Sequence, residues 1–263
     1  MLELCNIKKT FNAGTVNQKV ALDGVTLTLN DGDFVTVIGG NGAGKSTMLN
    51  AIAGVWRVDE GKILIDGVDV TAVPEYKRAK HLGRVFQDPM LGTAADMQID
   101  ENLALAKRRG KIRLLGWGIS RGERADYAEL LSQLGLGLET RLTSKVGLLS
   151  GGQRQAVTLL MASMNDPKLL LLDEHTAALD PKTAAKVLEI TDKIVNEKKL
   201  TTLMITHNMN DAIKHGNRLI MMNNGKIIYD VSGEEKKKLT VEFLIKKFSE
   251  SGEAFANDKA LLS

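Results

Sequence analysis

Short stretches of this chain carry residue types at spacings that suit phosphate chemistry. Gly39-Gly40-Asn41-Gly42-Ala43-Gly44-Lys45-Ser46-Thr47 fits Gly-x4-Gly-Lys-Ser, follows the apolar run Phe34 to Ile38, and opens a helical run through Leu49 and Ile52. Glycines let successive backbone N–H groups turn inward and a helix start adds partial positive charge, so the loop reads as a phosphate cradle. Lys45 would reach β- and γ-phosphates, and the Ser46 hydroxyl would take a Mg²⁺ coordination position. Lys168-Leu169-Leu170-Leu171-Leu172-Asp173-Glu174 places two carboxylates where a buried strand ends, the edge at which open α/β sheets bind ligands. There Asp173 would hold Mg²⁺ and Glu174 would orient and polarise an attacking water; the alternative is a solvated pair capping the next helix. Leu149-Ser150-Gly151-Gly152-Gln153-Arg154-Gln155 precedes an apolar helical run, Ala156 to Met164. Ser150 is a good N-cap and the two glycines expose amides, which makes either a second anion site or an ordinary capped helix.

Residues of this kind need strands that end at a common edge, and the patterning supplies them. Leu2 to Ile7, Val20 to Leu29 and Phe34 to Ile38 read as strands, and Ile63 to Ile65, Asp66-Gly67 and Val68 to Val70 as a hairpin, so the start of the chain reads as antiparallel. Apolar runs then alternate with helix-length periodic segments, as in a parallel sheet with crossover helices. Leu169 to Leu172 lacks alternation, as expected of a strand covered on both faces. Asp180-Pro181 starts a helix, Leu200 to Thr206 is the next buried strand, and Asn223-Asn224-Gly225 closes a hairpin between Leu219 to Met222 and Lys226 to Tyr229. Residues 88–149 read as a mostly helical insertion and 234–263 as a charged helical tail, leaving 1–233 as a single domain.

Composition bounds the possibilities. At 263 residues, with 43% hydrophobic and 25% charged, the chain is an ordinary globular protein rather than a collagen-like, low-complexity or disordered one. A net charge of +3 and 4% aromatic residues argue against nucleic acid as the main partner. The single cysteine, Cys5, excludes an intramolecular disulfide and a cysteine-rich zinc site and reads as a buried strand residue. Neither a membrane-spanning apolar run nor a cleaved leader is expected. The basic runs Lys107 to Arg113 and Lys236 to Lys238 read as solvated faces.

From Phe11 to about Tyr229 the chain resembles the ATP-binding subunits of ABC transporters, on Leu149-Ser150-Gly151-Gly152-Gln153, which looks like that family's signature, together with the phosphate loop. Gln87, after Arg84-Val85-Phe86, is similar to the family's glutamine-loop residue, Ala178-Leu179-Asp180 to its aspartate loop, His207 to its switch histidine, and Phe11 to the aromatic that stacks on adenine. Taken without the resemblance, Gln87 and His207 read as satisfied loop residues and Phe11 as a core residue near Val16 and Val20. The resemblance implies an α/β fold: a P-loop NTPase core with a mixed, largely parallel sheet, an N-terminal antiparallel β subdomain and an inserted helical subdomain. It implies ATP and Mg²⁺ as ligands, with ATP held by Phe11, Gly40, Asn41, Gly42, Ala43, Gly44, Lys45, Ser46, Thr47, Gln87 and Asp173, and the metal by Ser46, Gln87 and Asp173. Lys45, Glu174 and His207 become the catalytic residues.

A head-to-tail dimer is implied as well, in which Ser150, Gly151, Gly152, Gln153 and Asp180 of one copy reach the nucleotide on the other. The expected partners are integral membrane permease subunits, a second copy of the chain and a solute-binding protein, with no direct nucleic acid, at the cytoplasmic face of the cell membrane as a peripheral subunit. Phe86 to Thr93 and Asp100 to Ala106 resemble importer ATPases paired with branched-chain amino-acid-type permeases, which points to an amino acid or similar small solute. The alternative is a non-transport ABC ATPase acting on nucleic acid or the ribosome. Such relatives carry two cassettes or a long coiled coil, and no sustained heptads stand between Gln87 and Leu149. His175 departs from the family, which more often has proline after the catalytic acid.

Overall fold

The structure is a computed structural model that describes residues 1–111 and 118–250. Ile112 and Arg113 of the basic run and residues 251–263 of the tail therefore lie outside the described residues. The chain divides into two units, Met1–Arg78 with Lys199–Ser263, and Ala79–Lys198.

The first unit opens with β1 (Leu2–Phe11), β2 (Lys19–Leu29), β3 (Phe34–Gly39), α1 (Lys45–Ala53), β4 (Glu60–Ile65), β5 (Val68–Asp69) and α2 (Glu75–Arg78). A four-stranded antiparallel sheet runs β2-β1-β4-β5. Its last hairpin turns at Asp66 (φ 50°) and Gly67 (φ 74°), both in the left-handed region that a tight Asp-Gly turn needs. Along β1, Leu2 and Leu4 point inward, so period-two alternation turns Cys5 outward, and it is exposed. This corrects the expectation of a buried cysteine. The register then shifts between Leu4 and Ile7, which returns Ile7 to the core.

Arg78, 1% exposed, closes the far end of α1. Its Nη1 donates to the carbonyls of Ala51 and Ile52, both at 2.8 Å, its Nε to Val73 O at 2.7 Å, and its Nη2 to Thr71 O at 3.1 Å. The last carbonyls of a helix have no intrahelical donor and carry partial negative charge, so a buried guanidinium answers both needs. Replacing Arg78 with methionine keeps much of the volume but removes the donor to two buried and two partly buried carbonyls. At about 1–3 kcal/mol for each unsatisfied group, partly relieved by relaxation, the expected loss is about 3 kcal/mol. Denaturant unfolding should show it as a lower midpoint at unchanged slope.

The second unit contains β6 (Leu82–Val85), a 3₁₀ turn at Pro89–Gly92, α3 (Ile99–Lys107), α4 (Arg121–Ser132), a 3₁₀ turn at Val146–Leu148, α5 (Gly151–Ser163), β7 (Leu169–Asp173) and α6 (Pro181–Lys198). β6 and β7 pair in parallel from Leu82↔Leu169 to Val85↔Leu172. Leu169 to Leu172 are all buried, which accounts for the missing alternation. Within the basic run, Arg108 bonds Glu123 at 2.9 Å and Lys107 approaches Asp126 at 3.5 Å, so part of that run is engaged with α4.

The chain completes the first unit with β8 (Thr202–Ile205), α7 (Met209–Lys214), β9 (Arg218–Asn223), β10 (Lys226–Ser232), α8 (Gly233–Lys237) and α9 (Val241–Glu250). β8 and β9 flank β3 in parallel, and β10 returns antiparallel to β9 across Asn224-Gly225, as the hairpin signal predicts. Leu244 and Phe248 of α9 are fully buried against Ile38, Met209 and Met221, so this part of the tail is core. Lys236 corrects the reading of a solvated lysine run. It is 2% exposed, and its ammonium donates to the carbonyls of His215 and Gly216 behind α7, a helix end that favours a cation. Among the described residues no helix is long and apolar enough to cross a membrane.

Candidate functional site

In the first unit β3 and β8 are parallel neighbours, with Val37 opposite Ile205 and Thr206 N donating to Val37 O at 3.1 Å. The glycine loop after β3 and His207 after β8 therefore leave from one edge of adjacent strands. Gly44 caps α1 at φ 101°, and a Cβ there would come within 2.4 Å of Ala21 O, so only glycine fits. Gly44 has no side chain with which to cap α1, and a glycine loop opening a helix suits an outside anion. Lys45 is 5% exposed, and its ammonium donates to Gly39 O at 2.7 Å and Gly40 O at 3.1 Å, which holds the charge inside the loop. Ser46, next along, is exposed and Thr47 half-buried. A methyl built on Gly42 would come within 2.9 Å of Lys19 Nζ, so a second cation stands over the loop.

His207 is half-buried and flanked by fixed backbone. Asn208 N donates to Thr206 Oγ1 at 3.1 Å, and Asn208 Oδ1 caps α7 by accepting from Asp211 N at 3.0 Å. Phe11, at the end of β1, packs edge to face on Trp56 with centroids 5.4 Å apart, and the Lys9 ammonium lies 5.6 Å from its ring centre. The plain reading of Phe11 as core beside Val16 and Val20 fails, because both valines are exposed. They belong to an open turn and the first residues of a strand rather than to a packed face.

In the second unit β6 and β7 repeat the arrangement: Val85 lies opposite Leu172, so Gln87 and the Asp173-Glu174 pair leave from one edge of neighbouring strands. Gln87 is exposed, and Gln155 Nε2 of α5 donates to Phe86 O at 3.3 Å just before it. The Arg84 guanidinium lies 3.8 Å from Asp173 and 4.5 Å over the Phe86 ring. Glu174 is 9% exposed and takes φ 47°, left-handed backbone that a non-glycine residue adopts only under constraint. His175 beside it is 2% exposed, with Nε2 3.1 Å from Thr191 Oγ1.

Ser150 begins α5 with a full capping box. Its Oγ accepts from Gln153 N at 3.3 Å, and Gln153 Oε1 accepts from Ser150 N at 3.2 Å. Gly152 lies close to α6: a Cβ there would come within 2.1 Å of Thr183 Cγ2, so the Thr183 side chain would have to turn away. Asp180 caps α6 by accepting from Thr183 N at 3.1 Å; hydrogen bonds from the Thr183 side chain and backbone hold its carboxyl below the usual carboxylate range. The left-handed Glu174, the His175–Thr191 bond, the Gly152–Thr183 contact, Lys19 and Trp56 are features that sequence reasoning missed. Each depends on residues far apart in the chain, and no local pattern signals them.

The sequence matches the family described as ABC transporter over residues 22–177. It is 46% identical over 248 residues to the tyrosine transport ATP-binding protein of Clostridioides difficile (strain R20291), covering 94% of this chain and 98% of that one. It is 34% identical to the methionine import ATP-binding protein MetN of Corynebacterium diphtheriae, covering 99% of this chain and 76% of that one. It is also 34% identical to the spermidine/putrescine import ATP-binding protein PotA of Haemophilus influenzae, over 89% of this chain and 59% of the relative's length. Among solved structures, the ADP conformation of the ATP-binding cassette MJ1267 matches with a TM-score of 0.76 at 30% identity, covering 96% of this chain and 99% of that one. The dimeric post-hydrolysis state of the cassette MJ0796, bound to ADP and Pi, matches with a TM-score of 0.75 at 31% identity, covering 88% and 98%. The chain belongs to the ABC transporter family, as one of its ATP-binding, ATP-hydrolysing subunits.

Proposed function

We propose that this subunit hydrolyses ATP to drive import of an amino acid, tyrosine or a solute like it, through separate integral membrane permease subunits. The observation that carries the reading is 46% identity along 98% of a tyrosine transport ATP-binding protein. In this reading the loop Gly40 to Thr47 cradles the phosphates, Lys45 neutralises the β- and γ-phosphates, and Phe11 stacks on adenine. Glu174 takes a proton from the attacking water, and His207 donates a hydrogen bond to a γ-phosphate oxygen. Ser46, Gln87 and Asp173 offer a hydroxyl, an amide oxygen and one carboxylate, the hard-oxygen set that suits Mg²⁺ held largely by water and substrate phosphate. When bound, that ion would supply charge neutralisation at the phosphates.

Two copies then pair head to tail, with Ser150, Gly151, Gly152, Gln153 and Asp180 of one facing the nucleotide of the other. The Ser150 oxygen accepts from its own helix, and its hydroxyl proton remains a donor toward phosphate. The subunit works at the cytoplasmic face of the membrane as a peripheral component, with a solute-binding protein delivering the cargo. Copurification with the permease into vesicles tests the assignment. ATPase activity is expected to rise several-fold when binding protein and tyrosine are both present. Stimulation by a polyamine or metal complex, with no response to any amino acid, overturns it.

A further inference from the structure

We propose that His175 is a positioning residue for Glu174: its buried imidazole pegs the loop after β7 to α6 through Thr191 and so fixes the direction of the neighbouring carboxylate. The inference rests on the reading of Glu174 as the group that polarises water, and it adds a residue outside the phosphate loop, the metal set and the signature.

Glu174 at φ 47° holds an unfavourable backbone conformation, which persists only where the surroundings over-determine it. Several hydrogen bonds bear on that loop. Ala177 N donates to Glu174 O at 3.0 Å, closing a turn, and Leu179 N to Thr176 O at 3.1 Å closes the next. The His175 side chain adds a longer tie, reaching Thr191 Oγ1 at 3.1 Å across sixteen positions of sequence. Both partners are buried, His175 at 2% exposure and Thr191 at 0%.

With the Thr191 hydroxyl proton directed to Val187 O at 2.9 Å, we assign the bond as His175 Nε2–H donating to Thr191 Oγ1. An apolar side chain of similar size would fill the same space. It would leave the Thr191 lone pair without a donor and the loop free to settle at other distances from α6. The far end of the loop is tied to the same helix by the Asp180 cap, so α6 frames the whole turn that presents Glu174.

The test uses the full chain, with ATPase rates taken per nucleotide-binding chain and ATP affinity measured separately. Thr191→Val keeps the shape and removes the acceptor, while Thr191→Ser keeps it. His175→Leu removes the donor, while His175→Gln places an amide nitrogen near the position of Nε2. Thr191→Val and His175→Leu are each expected to lower kcat about tenfold, since small misplacements of reacting groups are costly, with KM for ATP unchanged. Thr191→Ser and His175→Gln should restore most of the rate, and the double variant should be no worse than either single one. Glu174→Gln is the control. If it loses turnover while Thr191→Val keeps the wild-type kcat, the positioning role is wrong and the Glu174 reading stands. If Glu174→Gln itself turns over normally, both fall. Equal losses in Thr191→Val and Thr191→Ser that follow melting temperature alone also overturn the proposal. Should His175→Leu fail to fold, the Thr191 pair carries the test.

Discussion

Glu174→Gln will bind ATP with wild-type affinity and lose about 10³-fold in kcat, within the range that a positioned general base contributes. The substitution is close to isosteric and leaves the phosphate loop, Lys45 and His207 untouched, so ground-state binding has no reason to change. A carboxylate can accept the proton that leaves an attacking water, and a neutral amide cannot. With hydrolysis blocked and the γ-phosphate retained, the proposed ATP-bound dimer should accumulate. Size-exclusion chromatography with Mg-ATP reads the dimer, and a single-turnover assay reads the chemical step. A wild-type single-turnover rate would refute the assignment of Glu174.

The parts of this site that were legible in the sequence are those whose signal is local. Gly39 to Ser46 announces itself because every requirement of a phosphate cradle falls within one loop between a strand and a helix. Asp66-Gly67 and Asn224-Gly225 mark hairpins because both central residues of such turns need positive φ, which these types tolerate. Ser150 and Gln153 form a capping box at the spacing that a helix start dictates. The outward face of Cys5 was also legible from Leu2 and Leu4. The general tendency of cysteine to be buried competed with that alternation, and the alternation prevailed.

The rest was set by packing between distant segments. Nothing in Asp173-Glu174-His175 signals that Glu174 turns left-handed, because the constraint comes partly from Thr191 on the next helix. Gly152 reads as a residue that exposes amides, whereas the fold also brings it close to Thr183 of α6. Lys236 reads as one of three solvated lysines until the carbonyls behind α7 are seen to accept its ammonium. Phe11 has valines as sequence neighbours and a tryptophan as its spatial one.

In each unit, part of the proposed site sits where adjacent parallel strands end. β3 and β8 deliver the phosphate loop and His207, and β6 and β7 deliver Gln87 and the acidic pair. Such an edge gathers side chains that are distant in sequence, because the register of neighbouring strands fixes the ends together.

Lys45→Ala is expected to weaken ATP binding by at least about 100-fold in calorimetry, because charge-assisted hydrogen bonds to phosphate oxygens are worth about 1.5–3 kcal/mol each. The alanine also leaves the carbonyls of Gly39 and Gly40 without the donor that closes the loop around them. Paired with a signature variant, the same substitution tests whether the nucleotide is shared between copies. Ser150→Asp preserves the α5 cap, since aspartate caps as well as serine, and sets a carboxylate against the γ-phosphate. Alone, each variant forms only dimers in which both shared sites are damaged, and neither should turn over. Mixed in equal amounts, random pairing makes about half of the dimers mixed, each with one wholly wild-type site, so turnover should return to about a quarter of the wild-type level. If each chain instead completes its own site, no pairing restores one, and the mixture stays inactive.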